Sequence, residues 1–272
     1  MARSEYLTEK ANFIRDDIMS VALAHGAGHI APSLSCVDIL AALFYDVMKY
    51  DERNPHDPMR DRLIFSKAHG CYGLYSILAD KGLIPRDVWR NFYKQNGPLM
   101  GCSERRVEFG VEAGCGSLGH GLPMAVGLAF GAKLQGHRYH VFCVMGDGEF
   151  QEGTTWEALQ FAVKHQVGNL TIIADQNRLQ AMDFIANVLD RDEADLWHRL
   201  KGFGLAPEVC PGHDTVKLAE LLGDLRRAGR EKPNVVLAQT IKGYGVKCME
   251  NTPKFHFRLP TESEMEMGRS YV

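Results

Sequence analysis

An aspartate between two glycines, Asp147, directly follows the apolar run of residues 139–145. Asn177 comes thirty residues later, shortly after a second apolar run over residues 170–174. If the two runs form neighbouring parallel strands, their carboxyl ends lie at one edge of the sheet, where ligands bind. Carboxylate, amide and carbonyl oxygens are the ligands that Mg²⁺ takes in proteins. The spacing therefore predicts a magnesium diphosphate site at this edge.

The glycines on either side of the aspartate, Gly146 and Gly148, favour the same interpretation. They let the backbone come close to a phosphate, and the helix that follows offers free N–H groups to an anion. Asp147 alone would repel a phosphate, so a hard cation between the two is needed. A tight acidic surface turn is the alternative for a lone Gly-Asp-Gly, and the paired Asn177 argues against it.

The elements that must position these residues alternate between strand and helix. Strands are predicted over residues 63–65, 139–145, 170–174 and 235–240. Helices are predicted over residues 5–24, 35–49 with Ser35 as N-cap, 72–79, 86–94, 118–134, 155–165 and 215–227, and residues 96–116 are predicted to be irregular. This alternation indicates an α/β fold, a parallel twisted sheet with helices on both faces. No repeat or long linker interrupts it, so a single domain over residues 1–272 is expected.

Composition excludes several classes of function. The chain has 272 residues, a formal net charge of −3 and 45% hydrophobic residues, which is ordinary for a globular protein. Nothing in this charge favours nucleic acid or a membrane surface. No apolar run approaches the roughly 20 residues that span a bilayer. The seven cysteines are scattered without a C-x-x-C pair, which is typical of reduced thiols in the cytoplasm.

Residues 146–180 resemble the thiamine-diphosphate fingerprint, a Gly-Asp-Gly followed by an Asn at this distance. The continuation G-D-G-E-F-Q-E-G and then W-E-A looks most like transketolase. Further segments resemble transketolases along nearly the whole chain: Gly28-His29, Ser66-Lys67-Ala68-His69-Gly70, Gly110-Val111-Glu112-Ala113, Gly116-Ser117-Leu118-Gly119-His120-Gly121, Gln239-Thr240-Ile241-Lys242-Gly243 and His256. Only the diphosphate-binding half of a full transketolase is matched. The chain therefore resembles the N-terminal subunit of a split, two-chain transketolase.

That resemblance implies a cofactor and a set of site residues. The cofactor is thiamine diphosphate with Mg²⁺, or with Ca²⁺ or Mn²⁺ in its place. The implied metal ligands are Asp147, Asn177 and the carbonyl of Leu179. The implied cofactor-binding residues are His69, Gly116, Ser117, Leu118, Gly146, Gly148, Glu149, Asn177 and His256. The implied catalytic residues are His29, His69 and His256, which line the active-site channel, and Glu152, which matches an acid at the dimer contact.

The resemblance also implies a reaction and a partner. The reaction is the transfer of a two-carbon ketol unit from a ketose to an aldose. The glutamate expected to protonate the aminopyrimidine belongs to a pyrimidine-binding domain that this chain lacks. We therefore expect a C-terminal partner subunit carrying that domain, two copies of each chain, and no activity of this chain alone. The alternatives are a subunit of a 2-oxo-acid dehydrogenase, a deoxyxylulose-phosphate synthase, or a non-catalytic regulatory subunit.

Departures from the transketolase pattern concern the sugar. Cys102 and Ser103 stand where many transketolases carry a His-Pro whose histidine contacts the donor. Ile30-Ala31 replaces a Pro-Gly after the first histidine, and His120 replaces a common glutamine. Cysteine is smaller than histidine and a poor hydrogen-bond donor. These changes indicate a specialised ketose, such as a branched or sulfonated one, in place of ordinary pentose-phosphate donors.

Overall fold

The structure is a computed structural model that describes residues 2–94, 97–189 and 195–269. Asn96, which opens the segment predicted to be irregular, lies outside these ranges. Five strands of the described chain form one parallel sheet in the order β1-β2-β3-β5-β4. Their bounds are β1 Arg62–Phe65, β2 Val141–Gly146, β3 Leu170–Gln176, β4 Pro207–Pro211 and β5 Asn234–Gln239. The predicted parallel sheet is confirmed, and β2 and β3 are neighbours.

Helices connect and cover the strands. They are α1 Arg3–His25, α2 Ile30–Ser35, α3 Val37–Ala42, α4 Cys71–Asp80, α5 Arg86–Arg90, α6 Gly121–Leu134, α7 Gly153–Lys164, α8 Ile185–Val188, α9 Asp195–Gly202, α10 Thr215–Arg227 and α11 Glu262–Arg269. A π-helical turn, Leu43–Val47, extends α3, and short 3₁₀ turns lie at Ala68–Gly70, Val107–Phe109, Asp147–Gln151 and Pro253–Phe255. None of the described helices is long and apolar enough to cross a bilayer.

The sheet is buried on both faces because its strand residues alternate between two cores. Phe142 and Val144 of β2 pack with α1 to α5 and α10, whereas Val141, Cys143 and Met145 pack with α6, α7 and α9. Successive side chains of a strand point to opposite faces, so a strand covered on both sides is apolar throughout. This continuous run made β2 and β3 visible in the sequence.

The helix predicted over residues 35–49 was wrong at its start. The helical segment begins at Ile30 as α2, is interrupted at Cys36, and resumes as α3. Ser35 is the last residue of α2 and does not cap a helix, because its hydroxyl donates to the carboxylate of Asp175 at 2.6 Å and lies 3.0 Å from the carbonyl of Pro32. The Ser35 hydroxyl, which was predicted to cap a helix, thus forms a buried tertiary contact instead.

Candidate functional site

The two polar residues singled out by their spacing meet at the carboxyl edge of the sheet. Gly146 of β2 pairs in register with Asp175 of β3. One carboxylate oxygen of Asp147 accepts the N–H of Gly148 at 2.9 Å, and the other accepts the N–H of Arg178 at 2.5 Å. The second bond links the loop after β2 to the loop after β3. Asn177 is buried in that second loop.

Asn177 closes a tight turn that presents its amide oxygen. Its side-chain oxygen accepts the N–H of Leu179 at 3.1 Å, and its amide nitrogen donates to Ser35 at 3.3 Å. Arg178, at the middle of this turn, has a left-handed φ of 64°. Such a conformation is strained for a residue with a Cβ and is tolerated where surrounding contacts fix it. The turn leaves Asn177 and Leu179 lining the same cavity as Asp147.

The carboxylate of Asp147 lies in an environment that disfavours its charge. Burial, together with the neighbouring carboxylate of Asp175, raises the pKa of Asp147 to about 7. Removing a carboxylate from water disfavours the ionised form unless an opposite charge compensates it. Two backbone N–H groups compensate only in part. A buried acid with a raised pKa at the wall of a cavity is typical of a cation-binding site or of a catalytic site.

Asp175 forms the floor of the site with a buried lysine that the sequence analysis did not single out. The ammonium group of Lys67, directly after β1, forms an ion pair with Asp175 and donates to Ser35 at 2.8 Å and to the carbonyl of Pro32 at 2.9 Å. Asp175 also accepts the hydroxyl of Thr240. Although burial favours the neutral amine, the carboxylate of Asp175 raises the pKa of Lys67. Lys67 therefore stays charged. Through Asp175 and Thr240 it links the ends of β1, β3 and β5.

A second buried lysine, Lys242, follows β5 and lines the cavity. Its ammonium group donates to the carbonyl of Gln180 at 2.7 Å and to Nδ1 of His256 at 2.9 Å. Burial, with the nearby charge of Lys67, lowers the pKa of Lys242 to about 8. No carboxylate of the described chain lies within salt-bridge distance of it. Lys242 is thus a desolvated cation beside an open space, which favours an anionic ligand.

The three predicted histidines form one cluster. The rings of His29 and His69 stack with centroids 4.3 Å apart, and His256 meets both edge-on at 5.2 and 5.0 Å. Burial, together with the charge of Lys242, lowers all three pKa values, to about 4 for His29 and about 3 for His256. The imidazoles are therefore neutral at physiological pH, and each can both donate and accept a hydrogen bond.

Most of the predicted site residues line one cavity of about 250 Å³. The lining includes Lys67, His69, Leu118, Gly146, Asp147, Gly148, Glu149, Glu152, Asn177, Leu179, Lys242 and His256. His29 and Gly116 instead line an adjoining cavity, together with Tyr93, Cys102 and Glu104. Because His29 stacks on His69, the two cavities meet at the histidine cluster. Ser117 is exposed on the loop between them.

The glycines on either side of Asp147 are not required by the protein's own packing. Neither has a positive φ. A Cβ at Gly146 would approach only Lys67, at 3.8 Å, and one at Gly148 only Gln180, at 3.6 Å. Both distances are ordinary contacts, so the described chain leaves room for a side chain at either position. The absence of a Cβ keeps space for a ligand at the backbone.

Glu149 was predicted to bind cofactor, and its contacts in the structure are with the scaffold. One carboxylate oxygen accepts the N–H of Gly146 at 3.0 Å. The other accepts the N–H of Gly119 at 3.0 Å and the hydroxyl of Ser66. Burial raises the pKa of Glu149. The side chain joins the ends of β1 and β2 to the loop before α6, and so it holds the cavity wall in place.

We predict that Glu149→Ala lowers the free energy of unfolding by about 2–4 kcal/mol, because it leaves buried donors unpaired and opens a small cavity. Urea unfolding of this variant measures the effect. Glu157→Ala, at a more exposed position on α7, is the matched control and should stay within about 0.5 kcal/mol of the parent. Equal midpoints for the two variants would contradict the scaffold role.

The sequence singled out Asp147, Asn177 and the three histidines but gave no notice of Lys67, Asp175 and Lys242. The available signal was position: each is a charged residue at or just after the end of an apolar strand. Charged residues are almost never fully buried unless they are paired or functional. The sequence alone does not tell which of them points inward, because that depends on how strand ends converge.

Comparisons with known proteins agree with this geometry. Residues 8–270 match the family model described as transketolase, thiamine diphosphate binding domain. The chain is 37% identical over 263 residues to an apulose-4-phosphate transketolase subunit of Actinobacillus succinogenes, covering 96% of this chain and 94% of that protein. It is 33% identical over 267 residues to a 6-deoxy-6-sulfo-D-fructose transketolase subunit of a Clostridium species, covering 98% of this chain and 94% of that protein.

A solved structure extends the comparison to the fold. Transketolase from Campylobacter jejuni superimposes with a TM-score of 0.87 at 28% identity, covering 99% of this chain and 43% of that one. The chain thus spans less than half of a full-length transketolase and nearly all of two transketolase subunits. The predicted fold and the predicted resemblance to one chain of a split transketolase are confirmed. The chain belongs to the transketolase family, and residues 8–270 match the domain of that family that binds thiamine diphosphate.

Proposed function

We propose that this chain is the diphosphate-binding subunit of a two-chain transketolase, and that it folds as one such domain around its single described sheet. The observation that carries the proposal is that two buried side chains of opposite charge line one cavity. A buried carboxylate with a raised pKa, Asp147, and a buried lysine with a lowered pKa, Lys242, both line it. Thiamine diphosphate with a divalent cation would supply the counter-charge that each of them lacks.

The residues present fit a divalent cation. Asp147, Asn177 and the carbonyl of Leu179 would hold Mg²⁺, with Ca²⁺ or Mn²⁺ as other hard cations of the same preference. Asp147 and Asn177 are buried, and the bond between Asp147 and the N–H of Arg178 already fixes the two loops against each other. Binding a cation removes the cost of the buried charge on Asp147.

The same cavity fits the diphosphate. The side-chain amide nitrogens of Gln151 and Gln180 are buried and have no hydrogen-bond partner in the described residues, although both side chains line the cavity. Buried donors of this kind are rare unless a ligand or water satisfies them. Together with Lys242 they provide donors for phosphate oxygens, and the absence of a Cβ at Gly146 and Gly148 leaves room for the phosphates. We assign His69 and Leu118 to the same binding surface.

When bound, thiamine diphosphate would supply the carbon nucleophile for the transfer of a two-carbon unit from a ketose to an aldose. The protein's contribution lies in His29, His69 and His256, which would orient the sugar oxygens and move protons between them. Their neutral state suits this role, since a neutral imidazole donates at one nitrogen and accepts at the other. Nδ1 of His29 is buried without a partner in the described chain and is free to accept from a sugar hydroxyl.

The site is open on one side, where we propose that a C-terminal subunit binds. Exposed apolar side chains lie in the loop before α6 (Leu118) and in the segment that follows β3 (Met182, Phe184, Val188 and Leu189). Met182 is 88% exposed. Apolar rims of this kind mark protein interfaces. We propose that the partner carries the pyrimidine-binding domain, that Glu152 at the cavity wall meets it, and that two copies of each chain assemble in the cytoplasm.

The donor is proposed to be a branched or sulfonated ketose. Cys102 lines the cavity that adjoins the histidine cluster, beside His29 and Tyr93. A thiol at this wall leaves more room than an imidazole and offers a weaker hydrogen bond. The relatives named for apulose 4-phosphate and for 6-deoxy-6-sulfo-D-fructose support a specialised donor.

Reconstitution of the two chains tests the proposal. Each chain alone and the two together are supplied with thiamine diphosphate, Mg²⁺ and an aldose phosphate acceptor. The donors are xylulose 5-phosphate, apulose 4-phosphate and 6-deoxy-6-sulfo-D-fructose. Ketol transfer only in the mixture, fastest with one of the last two donors, is expected. Release of carbon dioxide from pyruvate would instead indicate a 2-oxo-acid enzyme, and full rates on xylulose 5-phosphate would overturn the specialised donor.

Cofactor affinity in the two-chain complex is predicted to depend on pH with two limbs. Below about pH 7 a proton on Asp147 competes with the cation, so affinity falls as pH falls. Above about pH 8 Lys242 loses its proton and its attraction for phosphate, so affinity falls as pH rises. Titration of thiamine diphosphate at a series of pH values, at constant Mg²⁺, measures both limbs. Lys242→Met should remove only the alkaline limb, and a profile unchanged by that substitution would contradict this assignment.

A further inference from the structure

A histidine outside both cavities holds the segment that carries Lys242. His213 precedes α10, and its Nε2 accepts the N–H of Ile241 at 2.8 Å. Its Nδ1 lies 2.8 Å from a carboxylate oxygen of Asp38. A backbone amide can only donate, so Nε2 carries no proton and Nδ1–H donates to Asp38. The ring is thereby fixed as one neutral tautomer between α3 and the residue next to Lys242.

Further contacts make this support rigid. The ring of Tyr244 stacks on His213 with centroids 3.6 Å apart, and the guanidinium of Arg15 lies 4.9 Å above Tyr244. The N–H of Gly243 donates to the carbonyl of Ala31 at 3.0 Å. Gly243 has a φ of +83°, and a Cβ there would meet the carbonyl oxygen of Met249 at 2.6 Å. The backbone on both sides of Lys242 is therefore held by defined partners.

We propose that His213 is a positioning residue that sets the place of the Lys242 ammonium group in the cavity, an inference that rests on the proposed diphosphate site. Lys242 has a long, flexible side chain, and its useful interaction with phosphate requires that its backbone be fixed. His213 fixes the backbone at Ile241, which is the residue before Lys242. Asp38 in turn is buried and also bonds Thr215 at 2.9 Å and Arg15. Asp38 therefore stays paired when His213 is replaced.

Two substitutions separate this role from general stability. His213→Phe keeps an aromatic ring against Tyr244 and loses both hydrogen bonds, whereas His213→Gln retains a donor for Asp38 and an acceptor for Ile241. His140→Phe is the matched control. His140 is buried and bonds Thr171 at 2.8 Å, but it precedes β2 at the amino end of the strands, opposite the site.

The first measurement needs no cofactor. The full chain is treated with an amine-reactive reagent, and labelling of Lys242 is compared by mass spectrometry with that of the exposed Lys247. We expect the ratio to rise several-fold in His213→Phe and to stay near the parent value in His213→Gln and in His140→Phe. An unchanged ratio in His213→Phe would overturn the positioning role, whatever the chain binds.

The second measurement is a double-mutant cycle on the dissociation constant of thiamine diphosphate in the two-chain complex with Mg²⁺. His213→Phe is expected to weaken binding about tenfold in the parent and to add nothing in Lys242→Met, because residues that act through one group are not additive. Equal losses in both backgrounds would overturn the inference. Absence of cofactor binding in the parent, with the labelling change intact, would overturn the proposed function and leave the role of His213 standing.

Discussion

Asp147→Ala is expected to weaken the binding of thiamine diphosphate with Mg²⁺ by roughly 100-fold or more in the two-chain complex. Loss of residues that only support metal ligands already costs about 10–100-fold in affinity. Asp147 is proposed as the charged ligand of the set. Its removal deletes that charge and also the carboxylate that accepts from Gly148 and Arg178 and so links the two loops. Calorimetric titration at constant Mg²⁺ measures the change.

Asp16→Ala is the control for this experiment, since Asp16 is exposed on α1 at a distance in sequence from every residue of the cavity. It should bind the cofactor as the parent does. The dependence on Mg²⁺ is the more specific readout: raising Mg²⁺ should tighten binding in the parent and in Asp16→Ala but not in Asp147→Ala. A variant without Asp147 that still responds to Mg²⁺ would show that the cation lies elsewhere.

Lys242→Met is expected to weaken cofactor binding by about 10–100-fold, the range for losing a charge-assisted hydrogen bond worth about 1.5–3 kcal/mol. Methionine keeps much of the length and the apolar stem of lysine, so the packing between Gln180 and His256 changes little. The loss should vanish when thiamine without phosphates is the ligand, because the interaction is with the diphosphate.

The matched control for this substitution is Lys247→Met, five residues away and 62% exposed in its side chain. It should leave affinity unchanged. Salt also distinguishes the two positions, since a buried charge is screened much less than an exposed one. The effect of Lys242→Met should therefore persist at high ionic strength. Equal losses for thiamine and thiamine diphosphate would contradict a phosphate contact and indicate a packing defect.

The parts of the fold that could be predicted are those with strong local patterns. The strand β2 is apolar on both faces, and β3 ends in Asp175-Gln176 and is followed directly by Asn177, so their adjacency and the convergence of Asp147 with Asn177 were correctly expected. The edge strand β4 was missed. It begins and ends with proline and carries only Val209 and Cys210 as apolar residues. Such a short edge strand has no alternation to detect.

The parts of the site that could not be predicted depend on tertiary pairing. Lys67 and Asp175 are 108 residues apart in sequence and meet only because β1, β2 and β3 end at the same edge. The hydrogen bonds of Glu149 have the same origin, since its partners Ser66, Gly119 and Gly146 come from three separate segments. His213 belongs to no motif named in the sequence, and its contacts with Asp38 and Ile241 on either side of the ring arise only from the tertiary structure.

The most direct test of the proposed diphosphate site is a calorimetric titration of thiamine diphosphate with Mg²⁺. The titration is made on this chain alone and on the chain co-purified with its proposed partner subunit. We expect tight binding to the complex that requires Mg²⁺, and weak or absent binding to the chain alone, because the proposed partner would hold the pyrimidine end of the cofactor. Absence of binding to the complex, or binding that does not depend on Mg²⁺, would contradict the assignment of this cavity as the diphosphate site.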